Sequence, residues 1–203
     1  MKQDNQSIDA VIDFWFGPQS EGFCDATARR RWFTADPQFD REISDRFGSL
    51  LKAAVDGALT HWLDDPRGRL AFIIVTDQFS RQIYRGTAEA FATDPLALDA
   101  ARQGVELGHD TKLGYDERAF FYLPFEHSES ESDQDTSVEL FARLAADTPA
   151  HNRGHSDEAL RFARGHRDIV ARFGRFPHRN AHLGRASTPA ELEFLRTASR
   201  FGQ

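Results

Sequence analysis

A chain of 203 residues with formal net charge −7 and a pI of about 5.6 is long enough to bury roughly 70% of the surface its unfolded form exposes, so one domain over 1–203 with a self-sufficient core is expected. Cys24 is the one cysteine, which excludes an intrachain disulfide and a cysteine-based metal site and fits a reducing cytoplasm. The acidic balance argues against nucleic-acid affinity, while the polar start Met1–Ser7 and the short apolar run Leu70–Val75 argue against a signal peptide and a membrane span.

Helix signals follow along the chain. Ser7 is placed to cap a segment whose Ile8, Val11, Ile12, Trp15 and Phe16 share one face, and Gly17-Pro18 ends it. Asp36-Pro37 offers an N-cap and a proline at the first helical position, ahead of Phe39, Ile43, Phe47, Leu50, Leu51 and Ala54 at helical spacing. Asp65-Pro66 and Asp94-Pro95 repeat the device, with helices running to about Tyr84 and Gly108. Leu70 and Phe72–Val75 make the first of these apolar nearly all round, as befits a central buried helix. Asp116, Ser132, Ser156 and Thr188-Pro189 open four more, the last with Glu191 completing a capping box. The polar stretch 147–155 reads as a mobile loop between helices. No segment alternates between hairpin turns, so strands are not required and the expected class is all-α. The even spacing of the three Asp-Pro starts favours stacked helices, although their interiors are too dissimilar for a strict repeat.

Three polar constellations interrupt this pattern. In the stretch Asp77–Gly86, Asp77, Arg81 and Arg85 stand four apart on one helical face, so Asp77 can pair with Arg81 while Arg85 lies near the helix's negative end. A polar helix end closed by Gly86 accounts for the same residues. In Phe120–Glu129, Pro124 is expected to kink the helix and aim Glu126 and His127 off its axis; bonds to neighbouring helix ends are the structural alternative. The third, Arg172–Arg185, is a basic island in an acidic chain. Arg161, Arg164, Arg172 and Arg175 recur along a helical stripe, Gly174 and Pro177 stop it, and His178, Arg179 and His182 follow in a turn whose amides suit an anion. The same arginines can instead neutralise the acidic run Glu126, Glu129, Glu131, Asp133 and Asp135.

Metal and cofactor motifs are missing. His151/His155 and His178/His182 have four-residue spacing, but Gly154 disfavours a helical ligand face for the first pair, and Glu106-x-x-His109 stands alone where a bundle site needs two such motifs. No metal is expected; were one found, His127, His166 and His178 would be the first candidate ligands. No nucleophile elbow, phosphate-binding glycine loop or dinucleotide fingerprint occurs, so no cofactor is expected. Cys24 reads as an ordinary semi-buried cysteine.

The words DQFSRQIYRG and AFATDPLAL within Leu70–Leu98, FFYLPFEHSE from Phe120 to Glu129, and RFGRFPHRN followed by LGRASTPAE up to Glu191 resemble the bacterial domain of unknown function 924 family. With DFWFG at Asp13–Gly17 and the pair Trp32-Phe33, the resemblance covers nearly the whole chain. It departs at Ser80 and Gln82, where the family pattern reads DQFPRN. The resemblance implies a compact stack of antiparallel helical hairpins in a tetratricopeptide-like right-handed superhelix, and brings no established activity.

The residues and the resemblance together define an expected site. Glu126, His127 and His178 are the candidate catalytic residues, with Glu126 orienting a histidine ring in hydrolase-like acid/base chemistry. Asp77, Arg81, Arg85, Tyr122, Arg175 and Arg179 are the candidate ligand-binding residues for a small carboxylate- or phosphate-bearing anion, which guanidinium forks hold bidentately. The competing expectation is a non-catalytic module whose superhelical surface docks a peptide or protein. In either case the chain is expected to be a monomer or weak homodimer, without nucleic-acid or membrane partners.

Overall fold

The computed structural model describes residues 2–32 and 34–197, with side chains from residue 6 onward; Phe33 of the Trp32-Phe33 pair lies outside the described residues. Helix α1 (Lys2–Phe16) starts ahead of Ser7, which therefore sits inside the helix and does not cap it. Its apolar face is as expected, with Val11, Ile12, Trp15 and Phe16 fully buried. The chain leaves α1 at Gly17, whose φ of +64° closes the helix with a bond from its N–H to Asp13 O.

A short hairpin follows, which the pattern of apolar residues did not require. Strands β1 (Gln19–Ser20) and β2 (Phe23–Cys24) pair antiparallel across Glu21 and Gly22, whose φ values of 54° and 82° suit a two-residue turn that follows the strand twist. The hairpin docks on the start of α7 (Tyr115–Glu126): Asp116 N–H donates to Gly22 O, and the Cys24 N–H donates to Asp116 Oδ2 at 2.7 Å. Asp116 is therefore committed to the hairpin and to Arg29 rather than to opening a helix. Glu117 bonds the Gly114 N–H (2.9 Å) in its place.

Two of the three Asp-Pro starts behave as read. Asp36 accepts the Gln38 and Phe39 amides ahead of α3 (Pro37–Val55), and Asp65 accepts those of Arg67 and Gly68 ahead of α4 (Pro66–Ile73). At the third, Asp94 is the first residue of α6 (Asp94–Glu106), not its cap; Thr93 holds that position and sends its hydroxyl to Thr76 O at 2.5 Å. Between these, a short α2 (Ala26–Trp32) precedes α3, and the chain beyond α4 continues as a π-helical segment, Ile74–Phe79, into α5 (Ser80–Ile83). From Leu70 to Phe79 every residue is buried, which agrees with the apolar-all-round reading.

Helices α8 (Glu131–Asp147), α9 (Arg153–Phe173) and α10 (Pro189–Thr197) complete the chain. Ser132 and Ser156 lie inside α8 and α9; the Ser156 hydroxyl instead bonds Thr148 Oγ1 at 2.6 Å. The expected loop 147–155 is thereby reduced to a tight connection with Thr148 buried. Thr188 and Glu191 do form the reciprocal box: the Thr188 N–H donates to Glu191 Oε2 (2.6 Å) and the Glu191 N–H to Thr188 Oγ1 (3.3 Å).

Successive helices pack on one another, α6 on α7, α7 on α8 and α8 on α9, while α3, α4 and the π segment form the other side of the same core. Trp15, Phe39, Phe47, Phe79 and Phe120 meet there in stacked and edge contacts. Each such ring contributes on the order of 2 kcal/mol by leaving water. A small separate cluster of Ile169, Val170 and Phe176, with Phe173 and Phe194 against it, holds the C-terminal segment. The fold is all-α apart from the hairpin, and among the described residues no helix is long and apolar enough to cross a membrane.

Candidate functional site

The π segment places Asp77. A π turn closes its bonds five residues back instead of four, a wider and weaker ring that occurs mostly as short interruptions at functional positions. Asp77 is fully buried, and such a carboxylate persists only when its lone pairs are met. His127 Nδ1 lies 2.7 Å from Oδ1, Arg81 Nη2 reaches the same oxygen at 3.2 Å, and the neighbouring Gln78 amide donates to Oδ2. Arg81 also donates to Asp94 Oδ1 at 2.8 Å, and Arg179, from the 3-10 turn Pro177–Arg179, reaches Asp94 Oδ2 at 3.3 Å. Asp94 thus joins two guanidinium groups. The Arg179 plane is held over the rings of Phe91 and Phe176, each 4.7 Å away. Arg81 and Arg179 are only 7% and 6% exposed, yet the Nε of each has no hydrogen-bond partner.

His127 and Glu126 end α7. Pro124 lies within that helix and does not end it, since α7 runs on to Glu126 with His127 as its C-cap. The carbonyls left over at this end are gathered by Gln134 of α8, whose Nε2 donates to Glu126 O (2.7 Å) and Ser128 O (2.6 Å). His127 is therefore fixed at its backbone by one helix and at its ring by Asp77. Glu126 turns to α9, where its Oε1 meets His166 Nδ1 at 3.0 Å; that nitrogen also lies 3.0 Å from Phe162 O. Phe176 packs between His166 and His178, with ring centroids 5.5 Å from each.

The two carboxyls respond oppositely to burial. Burial disfavours ionisation of Asp77, but His127 and Arg81 together outweigh it and hold the carboxyl well below its usual range. Glu126 is pushed up to about 8 by burial and by the Asp77 charge. Burial, then Arg81, lowers His127 against the pull of Asp77; burial lowers His166 to about 4, and burial with Arg179 lowers His178 to about 3. Burial and Arg81 also bring Arg179 down to about 10. A neutral His127 that donates its Nδ1 proton to Asp77 leaves Nε2 as a basic nitrogen. Among the described residues no three His, Cys, Asp or Glu side chains are grouped to hold a metal ion. Cys24 is buried, and burial and Asp116 push its thiol far above its usual range.

Residues 11–199 match the family model for a bacterial protein of unknown function, DUF924. The chain belongs to this family. It is similar in structure to the protein of unknown function ATU0120 from Agrobacterium tumefaciens, with 36% identity over 96% of this chain and 99% of that one and a TM-score of 0.82. No curated protein matches the chain.

Not every residue expected at the site of this DUF924 protein is brought to it. Asp77, Arg81, Glu126, His127, His178 and Arg179 lie together, linked by the contacts above. Arg85 turns to α3, where it is bidentate on Asp40 (2.8 and 3.0 Å) and bonds Gln82. Tyr122 donates to Asp110 Oδ2 (2.7 Å) and receives Arg118, a network that ties α7 to Asp147. Arg175 is bidentate on Glu191 (2.7 and 2.9 Å) and bonds Ala186 O, so it secures α10 instead. Glu126 does not orient His127; Asp77 does. The acidic run is met in part by the basic island: Glu129 takes its Arg185 (2.6 and 2.9 Å) and the Phe176 N–H, whereas Asp133 takes Arg102 of α6.

Two members of the cluster were not among the expected site residues. Asp94 carried a strong helix-cap signal that hid its second use, and the only further hint was its place in the word AFATDPLAL. His166 lies on the buried face of α9, away from the exposed arginine stripe, and its partner Glu126 lies forty residues earlier. Ser80 and Gln82, the departures from the family pattern, fall at the start of α5: both are buried, and Ser80 Oγ lies 3.4 Å from Glu89 O and Ala90 O.

Proposed function

We propose that this protein binds a small anionic ligand, carboxylate or phosphate bearing, at the Arg81–Arg179 edge of the buried cluster, and that His127 with Asp77 performs hydrolase-like proton transfer on it. One observation carries the reading: two deeply buried guanidinium groups meet on one carboxylate, Asp94, with Arg81 also on Asp77, and each keeps an Nε–H donor without an acceptor. Buried donors of this kind cost about 1–3 kcal/mol each when unmet, and an oxyanion is the group that satisfies two at once. Asp77 supplies the ring orientation that makes His127 Nε2 the base, so a water beside the bound group is its natural proton source. Glu126, His178, Asp77, Arg81 and Arg179 belong to the proposed site; Arg85, Tyr122 and Arg175 have structural partners elsewhere.

Convergence of residues from the π segment, α5, α6, α7, α9 and the turn at Pro177 favours a ligand over the non-catalytic docking module. The tetratricopeptide-like superhelix belongs to the same reading, supported by the sequential packing of α6 through α9. The test is thermal unfolding with a panel of phosphates and carboxylates at matched ionic strength. Selected anions should raise the midpoint of the wild type and of Arg175→Ala, and lose that effect in Arg179→Ala. Equal stabilisation of all three by every anion would reduce the effect to bulk salt and end the proposal.

A further inference from the structure

We propose that Glu126, positioned by His166, is the proton donor of this site and the acidic counterpart of the Asp77–His127 pair; the inference rests on the anion-binding reading above. Glu126 and His127 are neighbours in sequence, yet they face different partners. His127 meets a carboxylate that also holds a permanent cation, Arg81. Glu126 is 4% exposed and its ion-pair contact is His166. The bond from His166 Nδ1 to Phe162 O fixes which nitrogen of that ring carries a proton. A carbonyl oxygen only accepts, so the proton is on Nδ1 and is given to Phe162 O, while Glu126 Oε1 lies 3.0 Å from the same nitrogen.

Burial favours the neutral form of that ring, and a neutral imidazole cannot neutralise a carboxylate. With no arginine or lysine in ion-pair contact among the described residues and the ionised Asp77 close by, Glu126 keeps its own proton. Two carboxyls in one site, one with a cation and one without, are thereby separated into base side and acid side. The upward shift of Glu126 and the downward shift of His166 agree with this division. The titratable and charged groups around the pair are Asp77 from the π segment, Arg81 from α5, His127 from α7, and His178 and Arg179 from the turn at Pro177. In the proposed hydrolysis the protons balance. His127 Nε2 takes one from water as its oxygen attacks, and Glu126 gives one to the departing oxygen as the bond to it breaks. The Glu126 carboxylate then stays beside the His166 ring until the proton on His127 is returned through solvent.

Inorganic sulfate is the probe, because it stays a dianion while Glu126 titrates. Its affinity is measured by calorimetry from about pH 6 to about pH 10. Wild-type affinity should fall about tenfold per pH unit above the Glu126 transition, since the ionised carboxyl repels the anion. Glu126→Gln, which cannot ionise, should lose that fall. His166→Phe keeps a ring against Phe176 but replaces the polar ring edge 3.0 Å from Oε1 by carbon, which disfavours the carboxylate, so the fall should move to higher pH. A fall of the same steepness in wild type and Glu126→Gln, or one unmoved in His166→Phe, would overturn the role of the pair while leaving anion binding in place. No sulfate binding by wild type or Glu126→Gln at any pH would remove the anion reading and this inference together.

Discussion

At the scale of single residues, the site is a set of groups whose charges burial has reassigned, and their pH response follows. His166 and His178 are lowered from 6.5 to about 4 and about 3, so the unfolded chain binds protons that the folded one does not. Their contribution to stability is complete above pH 6.5 and is lost as the pH falls toward those values. The depressed Asp77 adds to the same acid loss below its ordinary value of 3.8. Glu126 has the opposite sign: raised from 4.5 to about 8, its contribution is complete below 4.5 and is lost as the pH rises through 8. Between 4.5 and 6.5 the two histidines outweigh the one carboxyl, so stability should peak near pH 6.5 and decline toward pH 8 by an amount on the order of a few kcal/mol. Urea midpoints measured across this range should show the peak, and Glu126→Gln should flatten its alkaline side. A midpoint rising steadily to pH 8 would contradict these assignments.

At the scale of elements, Gly104 shows how closely α6 meets its neighbours: a Cβ there would collide with the Phe121 ring and the Arg69 side chain. Gly104→Ala gains helix propensity but overpacks a buried contact, and should lower stability by about 1–3 kcal/mol in denaturant titration. Elements also explain what was legible beforehand. Asp36, Asp65 and Thr188 could be read as caps because the capping bond is local, made to amides two or three residues on. Asp94 carried the same local signal and a different fate, since its carboxylate is drawn to Arg81 and Arg179 by contacts across the fold. The π segment left no mark in the pattern because Leu70–Phe79 is buried on every side, and an apolar periodicity cannot register one extra residue per turn when all faces are equivalent. The Asp77–Arg81 pair was visible at four-residue spacing; the Asp77–His127 and Glu126–His166 pairs join different elements and were not.

At the scale of the whole molecule, the large core from α1 to α9 and the small C-terminal cluster are unequal partners. Trp15, Trp32 and Trp62 all belong to the large one, whereas α10 is held by Phe194, the capping box and the Arg175–Glu191 pair. Glu191→Ala removes both polar restraints at once. Trypsin should then cleave after Arg175 or Arg185 several times faster, while the tryptophan-fluorescence unfolding midpoint stays nearly fixed. A matching drop in that midpoint would show instead that the C-terminal segment unfolds with the rest. The start of α6 bears on how such a protein could be redesigned. Stabilisation by optimising helix starts would treat Asp94, Ser, Thr and Asn as near equivalents ahead of Pro95. Here the exchange would strip Arg179 of its carboxylate and leave two buried like charges facing each other, so a substitution that looks neutral on any list of helix signals would dismantle the cluster from its centre.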